Sequence, residues 1–100
     1  NLKHNIKDIN IDIIDKVRPV QYNLINDESD TTHYGFIAQD VEQALLESGV
    51  TSDKMGIVHY DENYETQERT NYALSYDEII PLLVKKCQEL QREIDILKGE

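Results

Sequence analysis

The first third of the chain carries two different spacings of apolar residues. Within Leu2–Val17 the apolar positions are separated by three, four, one and three residues: Ile6, Ile9, Ile13, Ile14 and Val17. That spacing predicts a helix. The residue before Pro19 disfavours helical backbone, so we expect the helix to end there. Val20, Tyr22 and Leu24 then alternate with polar residues, which predicts a strand.

The middle of the chain predicts a second strand that leads into a short helix. Asn26–Thr32 is polar and acidic and is predicted to be a turn. The short apolar run His33–Ile37 predicts a strand antiparallel to the first one. A helix is expected from Ala38, since apolar residues recur on one face, and Gly49 is expected to terminate it.

The next part predicts a hairpin followed by a helix start. Met55–Tyr60 and Tyr72–Leu74 are expected to be strands. Between them, Asp61–Asn71 is rich in acids and amides and is predicted to be a hairpin tip or exposed loop. Ser75–Glu78 has the pattern of a capping box, in which the serine and the glutamate satisfy the first free N–H groups of a helix.

A long helix is predicted over residues 76–98, and its apolar residues follow a heptad spacing. We call these six positions the seam: Ile80, Leu83, Cys87, Leu90, Ile94 and Leu97. The second half of such a helix has little remaining chain to pack against, so the seam predicts self-association. The alternative is that it packs on the chain's own sheet. Cys87 is expected to be a buried small hydrophobe rather than a nucleophile.

Composition and charge exclude several classes of function. The 100 residues predict one domain, residues 1–100. A net charge of −10 argues against nucleic acid or an anionic membrane as partner. A membrane-spanning helix needs about 18 or more apolar residues in a row, and the sequence has no such run. One cysteine and three scattered histidines make a poor metal set, so we expect neither a metal nor a cofactor.

The residue pattern alone points weakly to chemistry. Gly35 within a predicted strand indicates close backbone approach or a bulge. His33 and Gln39 lie on either side of it and can donate and accept hydrogen bonds, in a structural network or in a site. Lys3 can serve as a base only if burial or neighbouring charges favour its neutral form.

Four segments, in order, resemble the C-terminal intramolecular chaperone domain of phage tailspikes and tail fibres, the S74 peptidase family. They are Asn1-Leu2-Lys3-His4-Asn5-Ile6, Val17-Arg18-Pro19-Val20-Gln21-Tyr22, His33-Tyr34-Gly35-Phe36-Ile37-Ala38-Gln39-Asp40-Val41, and Tyr72–Tyr76 continuing through Ile80–Leu83 to Glu89-Leu90. The resemblance covers nearly the whole chain, and its third segment is the most specific.

The resemblance implies a homotrimer that assists folding of the upstream fibre of the same polypeptide and then cuts itself off. A serine opening Ser-Asp-x-x-Leu-Lys would attack the peptide bond before it, with Lys3 as the base. That serine would lie three residues before Asn1, so we expect the 100 residues alone to be inactive. The cytoplasm of the infected bacterium is the implied location. Support of assembly or of cleavage is implied for four residues: His33, Tyr34, Gly35 and Gln39.

Two other functions fit the same sequence. One is a non-catalytic trimerisation module that caps a fibrous protein. The residues before Asn1 would distinguish it from the self-cleaving chaperone, because it needs no Ser-Asp at the expected spacing. The other is a monomeric adaptor whose acidic loop, Asp61–Glu68, binds a basic partner. The fold expected in each case is α+β, with one small antiparallel sheet of three to five strands, two short helices and the long C-terminal helix. The S74 resemblance further implies that this helix forms a trimeric bundle.

Overall fold

Two consecutive pairs of strands are separated by one helix and followed by another, and the fold is α+β as predicted. The computed structural model describes residues 2–51 and 55–99. Its elements are a 3-10 turn Ile14–Lys16, strands β1 Val20–Tyr22 and β2 His33–Gly35, helix α1 Ala38–Glu47, strands β3 Val58–Glu62 and β4 Arg69–Leu74, and helix α2 Tyr76–Leu97. None of the helices in these ranges is long and apolar enough to cross a membrane.

The strands form two separate antiparallel hairpins, not the single sheet of three to five strands that we predicted. In the first hairpin Val20 pairs with Gly35 and Tyr22 with His33. In the second, Val58 pairs with Leu74. Helix α1 packs on β3 and β4, as a helix on a sheet was expected to, but the two hairpins do not pair with each other.

The second hairpin also corrects the predicted loop over Asp61–Asn71. Both ends of that range are strand, since Asp61 pairs with Thr70. The loop is only Asn63–Glu68, closed by a hydrogen bond from Asn63 N–H to the Glu68 carbonyl at 2.9 Å. The Asn63 side chain accepts further bonds from backbone N–H groups inside the loop, so the acidic residues there border an ordered turn.

The N-terminal helix predicted over Leu2–Val17 is wrong. Its only helical piece is the 3-10 turn Ile14–Lys16, and the rest is extended or irregular. Residues 2–51 and 55–99 therefore contain one short α-helix, not two. The inward side chains come at every second residue: Ile9, Ile11 and Ile13. A period of two belongs to extended chain, and the positive φ of Asn5, 55°, also interrupts a regular helix.

The core lies where the N-terminal segment, α1, the second hairpin and the start of α2 meet. Its buried residues are Ile13, Val41, Ala44, Leu45, Met55, Ile57, Val58, Ile79 and Leu82. Helix α1 begins and ends as predicted, and Gly49 follows it with a φ of +91° that favours glycine. Helix α2 likewise ends at Leu97, one residue short of the prediction, with Gly99 at φ +80°.

A buried acid joins α1 to the second hairpin. Glu42 is 8% exposed and accepts hydrogen bonds from the Tyr72 hydroxyl at 3.2 Å and from Arg69 Nη1 at 3.3 Å. The Arg69 guanidinium also lies 4.5 Å from the centre of the Tyr60 ring. A buried carboxylate needs such partners, so this network fixes the helix on the hairpin.

Replacing Leu45 by alanine tests the location of the core. Leu45 is 1% exposed and its neighbour Leu46 is 42% exposed. We expect Leu45→Ala to lower the free energy of unfolding by about 2–5 kcal/mol, because it removes buried methyl groups and leaves a cavity. Urea unfolding followed by circular dichroism measures this. The matched control Leu46→Ala should cost about 1 kcal/mol or less, and equal losses in both variants would contradict this core.

Candidate functional site

The segment from His33 to Gln39 runs from β2 directly into α1 and lies beside two tyrosines. The His33 ring stacks on Tyr22, with 5.5 Å between ring centres. Gln39, in the first turn of α1, lines an open groove of about 590 Å³ together with Tyr22 and Tyr76. Tyr34 is exposed. The structure therefore gathers these predicted site residues into one region, although their roles stay predictions.

Gly35 occupies a position where a side chain would not fit. An added Cβ would lie 3.2 Å from Cζ of Tyr76 and closer still to its hydroxyl oxygen. The Tyr76 ring also stacks on Phe36, with 6.1 Å between ring centres, and its hydroxyl accepts a hydrogen bond from Phe36 N–H at 3.2 Å. Of the two predicted possibilities, a close approach to the backbone or a bulge, the structure shows a close approach, made by the side chain of Tyr76 of helix α2.

The start of α2 differs from the predicted capping box. Ser75 is the N-cap residue, but its side chain makes no capping bond. Its hydroxyl lies 2.6 Å from Nε2 of His59, on β3. Sequence reasoning left His59 without a partner, because the contact crosses 16 residues. Ser75 N–H also donates to the Ile57 carbonyl at 2.8 Å, so the helix start is held by the second hairpin.

The seam of α2 is exposed along its whole length. The exposed fractions of Ile80, Leu90 and Ile94 are 59%, 48% and 44%, and Leu83 and Leu97 are exposed as well. Cys87 is likewise exposed in the single chain, so its predicted burial on the seam stays a prediction about the assembly. By contrast, Ile79 and Leu82 on the adjacent face enter the core. The helix thus packs on its own chain through a different face from the seam.

An apolar groove of about 360 Å³ connects the seam with the His33–Gln39 region. Phe36 lines it together with three residues of α2: Tyr76 and the seam residues Ile80 and Leu83. Val17 and Pro19, before β1, complete its wall. A molecule that covers Ile80 and Leu83, the first two residues of the seam, would therefore also contact Phe36, one residue after Gly35.

Lys3 lies in the exposed segment that precedes the docked part of the N-terminus. Residues 2–8 are exposed, and the inward-facing residues begin at Ile9.

The N-terminal segment is attached to α2 by ion pairs that the sequence did not predict. Lys86 donates a hydrogen bond to Asp12 at 2.7 Å and to Asp15 at 3.4 Å. This bonding lowers the pKa of Asp12 below its ordinary 3.8 and raises the pKa of Lys86.

The sign of these pKa changes fixes the pH range of the attachment. A carboxyl group whose pKa is lowered on folding contributes stability above its ordinary pKa and loses it in acid. The Lys86–Asp12 contact therefore persists at neutral pH and is lost as the pH falls below 3.8 through the lowered pKa of Asp12.

Within residues 2–51 and 55–99, no group of three or more His, Cys, Asp or Glu side chains is arranged to hold a metal ion.

Comparison with known proteins identifies the family. A family model described as the chaperone of endosialidase, of the S74 peptidase family, matches residues 1–50. This match contains three of the four segments that carry the resemblance, including Lys3 and the His33–Val41 stretch. The chain therefore belongs to the S74 family. No curated protein and no solved structure matches it.

A double-mutant cycle tests the packing of Tyr76 on Gly35. We expect Gly35→Ala to lower the free energy of unfolding by about 1–3 kcal/mol, since the new methyl group displaces the tyrosine ring. In a Tyr76→Leu background the same alanine should cost at least about 0.5 kcal/mol less, because the obstructing hydroxyl is gone. Chemical denaturation of the four proteins gives the coupling energy. Additive effects would show that Gly35 does not accommodate Tyr76.

Proposed function

We propose that this chain is an intramolecular chaperone that trimerises, assists folding of an upstream phage fibre or tailspike, and is then released by self-cleavage. The observation that carries the proposal is the S74 match over residues 1–50, which includes Lys3. The exposed seam of α2 supports it independently, since it offers the chain a surface for other copies of itself. The site of action that follows is the bacterial cytoplasm during phage assembly.

The trimer is argued from the two faces of α2. Ile79 and Leu82 attach the helix to its own core, while the seam stays exposed. Apolar residues at heptad spacing are buried when helices pack side by side. The seam is too short to hold a coiled coil alone, so the apolar groove beside Phe36 would add contact area from the globular part.

The chemistry is a single serine-dependent cleavage. In the precursor, the hydroxyl oxygen of the serine three residues before Asn1 would attack the carbonyl carbon that precedes it, and Lys3 would take the hydroxyl proton. The proton would then pass to the leaving nitrogen, and water would hydrolyse the resulting ester. A lysine acts as a base when it is shielded from water. Lys3 is exposed in one chain, so the shielding must come from the assembled precursor.

This requirement links cleavage to assembly. If Lys3 is covered only when three copies and the upstream fibre are in place, a chain that has not assembled stays uncut. Attack by a residue of the same chain gains much of its rate from positioning. The reaction occurs once per chain, so no product has to leave before another cycle.

Replacing Lys3 tests the proposed cleavage. In a precursor extended upstream through the end of the fibre, we expect intact-mass spectrometry to show a cut three residues before Asn1. Lys3→Ala should slow that cut at least ~100-fold, because general-base catalysis contributes about that much. The control is Lys16→Ala, which removes an exposed lysine at the other end of the same segment and should cleave normally. Cleavage of Lys3→Ala at the normal rate would remove Lys3 as the base.

Placing a charge on the seam tests the proposed trimer. We expect Leu90→Asp to weaken association roughly 100-fold or more, since the new carboxylate would be buried without a partner. Gln88→Asp adds the same charge two residues away, off the seam, and should stay trimeric. Sedimentation velocity measures both. Trimers of equal stability in the two variants would show that the seam is not the interface.

A further inference from the structure

Lys86 is the most heavily paired cation among the described residues of α2. Its ammonium nitrogen lies 2.7 Å from Asp12 Oδ2, 3.4 Å from Asp15 Oδ2 and 3.7 Å from Glu89 Oε2. Its side chain is only 14% exposed. Lys85 next to it pairs with Glu89 of its own helix. Lys86 is therefore the lysine that connects the helix to the N-terminal segment.

Asp12 and Asp15 enclose the residue that anchors this segment. Ile13 lies between them and is 1% exposed, in a core that also contains Leu82. Lys86 is one helical turn beyond Leu82, so its ion pairs lie next to the contact between the N-terminal segment and α2. An apolar anchor and an ion-paired clamp thus hold residues 12–15 on α2.

The exposed part of the segment continues along the same helix. Lys7, Asp8 and Ile9 line a groove whose other wall includes Ile80 and Val84 of α2. Ile80 is a seam residue, and Val84 is 48% exposed. The path that leads back to Lys3 therefore runs beside the surface that the trimer would bury. The clamp at Lys86 is where that path is fixed to the helix.

We propose that Lys86 is a positioning residue for self-cleavage: by holding Asp12 and Asp15 on α2, it sets the position of the N-terminal segment that carries Lys3. This inference rests on the proposed function. A misplacement of about 1 Å can slow an intramolecular reaction by roughly 100-fold. Loss of the ammonium would also leave Asp12 and Asp15 without their cation, whereas Glu89 would keep Lys85. Repulsion among these carboxylates would then weaken the attachment of the segment to the helix.

The test uses the upstream-extended precursor with matched lysine variants. Lys86→Met keeps the length of the side chain and removes its charge. We expect its first-order cleavage rate constant to fall about 10- to 100-fold, while sedimentation still shows a trimer. Lys98→Met removes an exposed charge at the far end of α2, away from residues 7–15, and should cleave within about twofold of the unsubstituted precursor. Lys86→Arg keeps the charge and should retain most of the rate.

Hydrogen exchange separates positioning from general destabilisation. In Lys86→Met we expect faster amide exchange over residues 9–16, and unchanged exchange in α1 and β3. If this variant does not fold, the charge-exchanged pair Lys86→Asp with Asp12→Lys replaces it. A folded trimer of that pair that cleaves supports the clamp, and one that stays uncut overturns it.

The outcomes distinguish this inference from the proposed function. Normal cleavage by Lys86→Met would overturn the role of Lys86 and leave self-cleavage standing. The positioning role is also overturned if cleavage is lost only together with the trimer. An uncut unsubstituted precursor that is a folded trimer would overturn self-cleavage itself, and the positioning role with it.

Discussion

The first three turns of α2 hold the structure together, because they contact the core, the first hairpin and the N-terminal segment. Ile79 and Leu82 enter the core, Tyr76 packs on Gly35, and Lys86 pairs with Asp12. A helix buried on one face normally exposes polar residues elsewhere. Here the seam adds a second apolar face, which the single chain leaves exposed. Association with other copies of the chain would bury this exposed apolar surface.

Local patterns predicted the elements whose cause is local. The helix from Ala38, its glycine terminator and the long helix with its seam all follow from spacing within a few residues of each other. The N-terminal segment misled because four of its isoleucines and Val17 satisfy a helical period, while Ile9, Ile11 and Ile13 satisfy a period of two. Burial by α2 selects the second, and the sequence of the segment alone does not reveal this choice.

In the candidate site, too, local patterns predicted some features, while contacts between distant residues could not be predicted. Gly35 signalled a close approach, yet Tyr76, which makes the approach, lies 41 positions later in the sequence, and no local pattern names it. Ser75 fits a capping box, but its hydroxyl forms a hydrogen bond with the His59 ring instead. Nothing in the sequence singles out Lys86, because its partners Asp12 and Asp15 lie 74 and 71 positions earlier in the chain. Contacts between distant parts of the chain, rather than residue type, give these side chains their surroundings.

The central proposal, which is supported by the S74 family match and the exposed seam, is that the chain acts as a trimer. Sedimentation equilibrium of the unsubstituted chain across the micromolar range tests it most directly. We predict a single species with three times the 11.6 kDa mass of the chain. A mass of 11.6 kDa throughout that range, or a stable dimer, would contradict the claim.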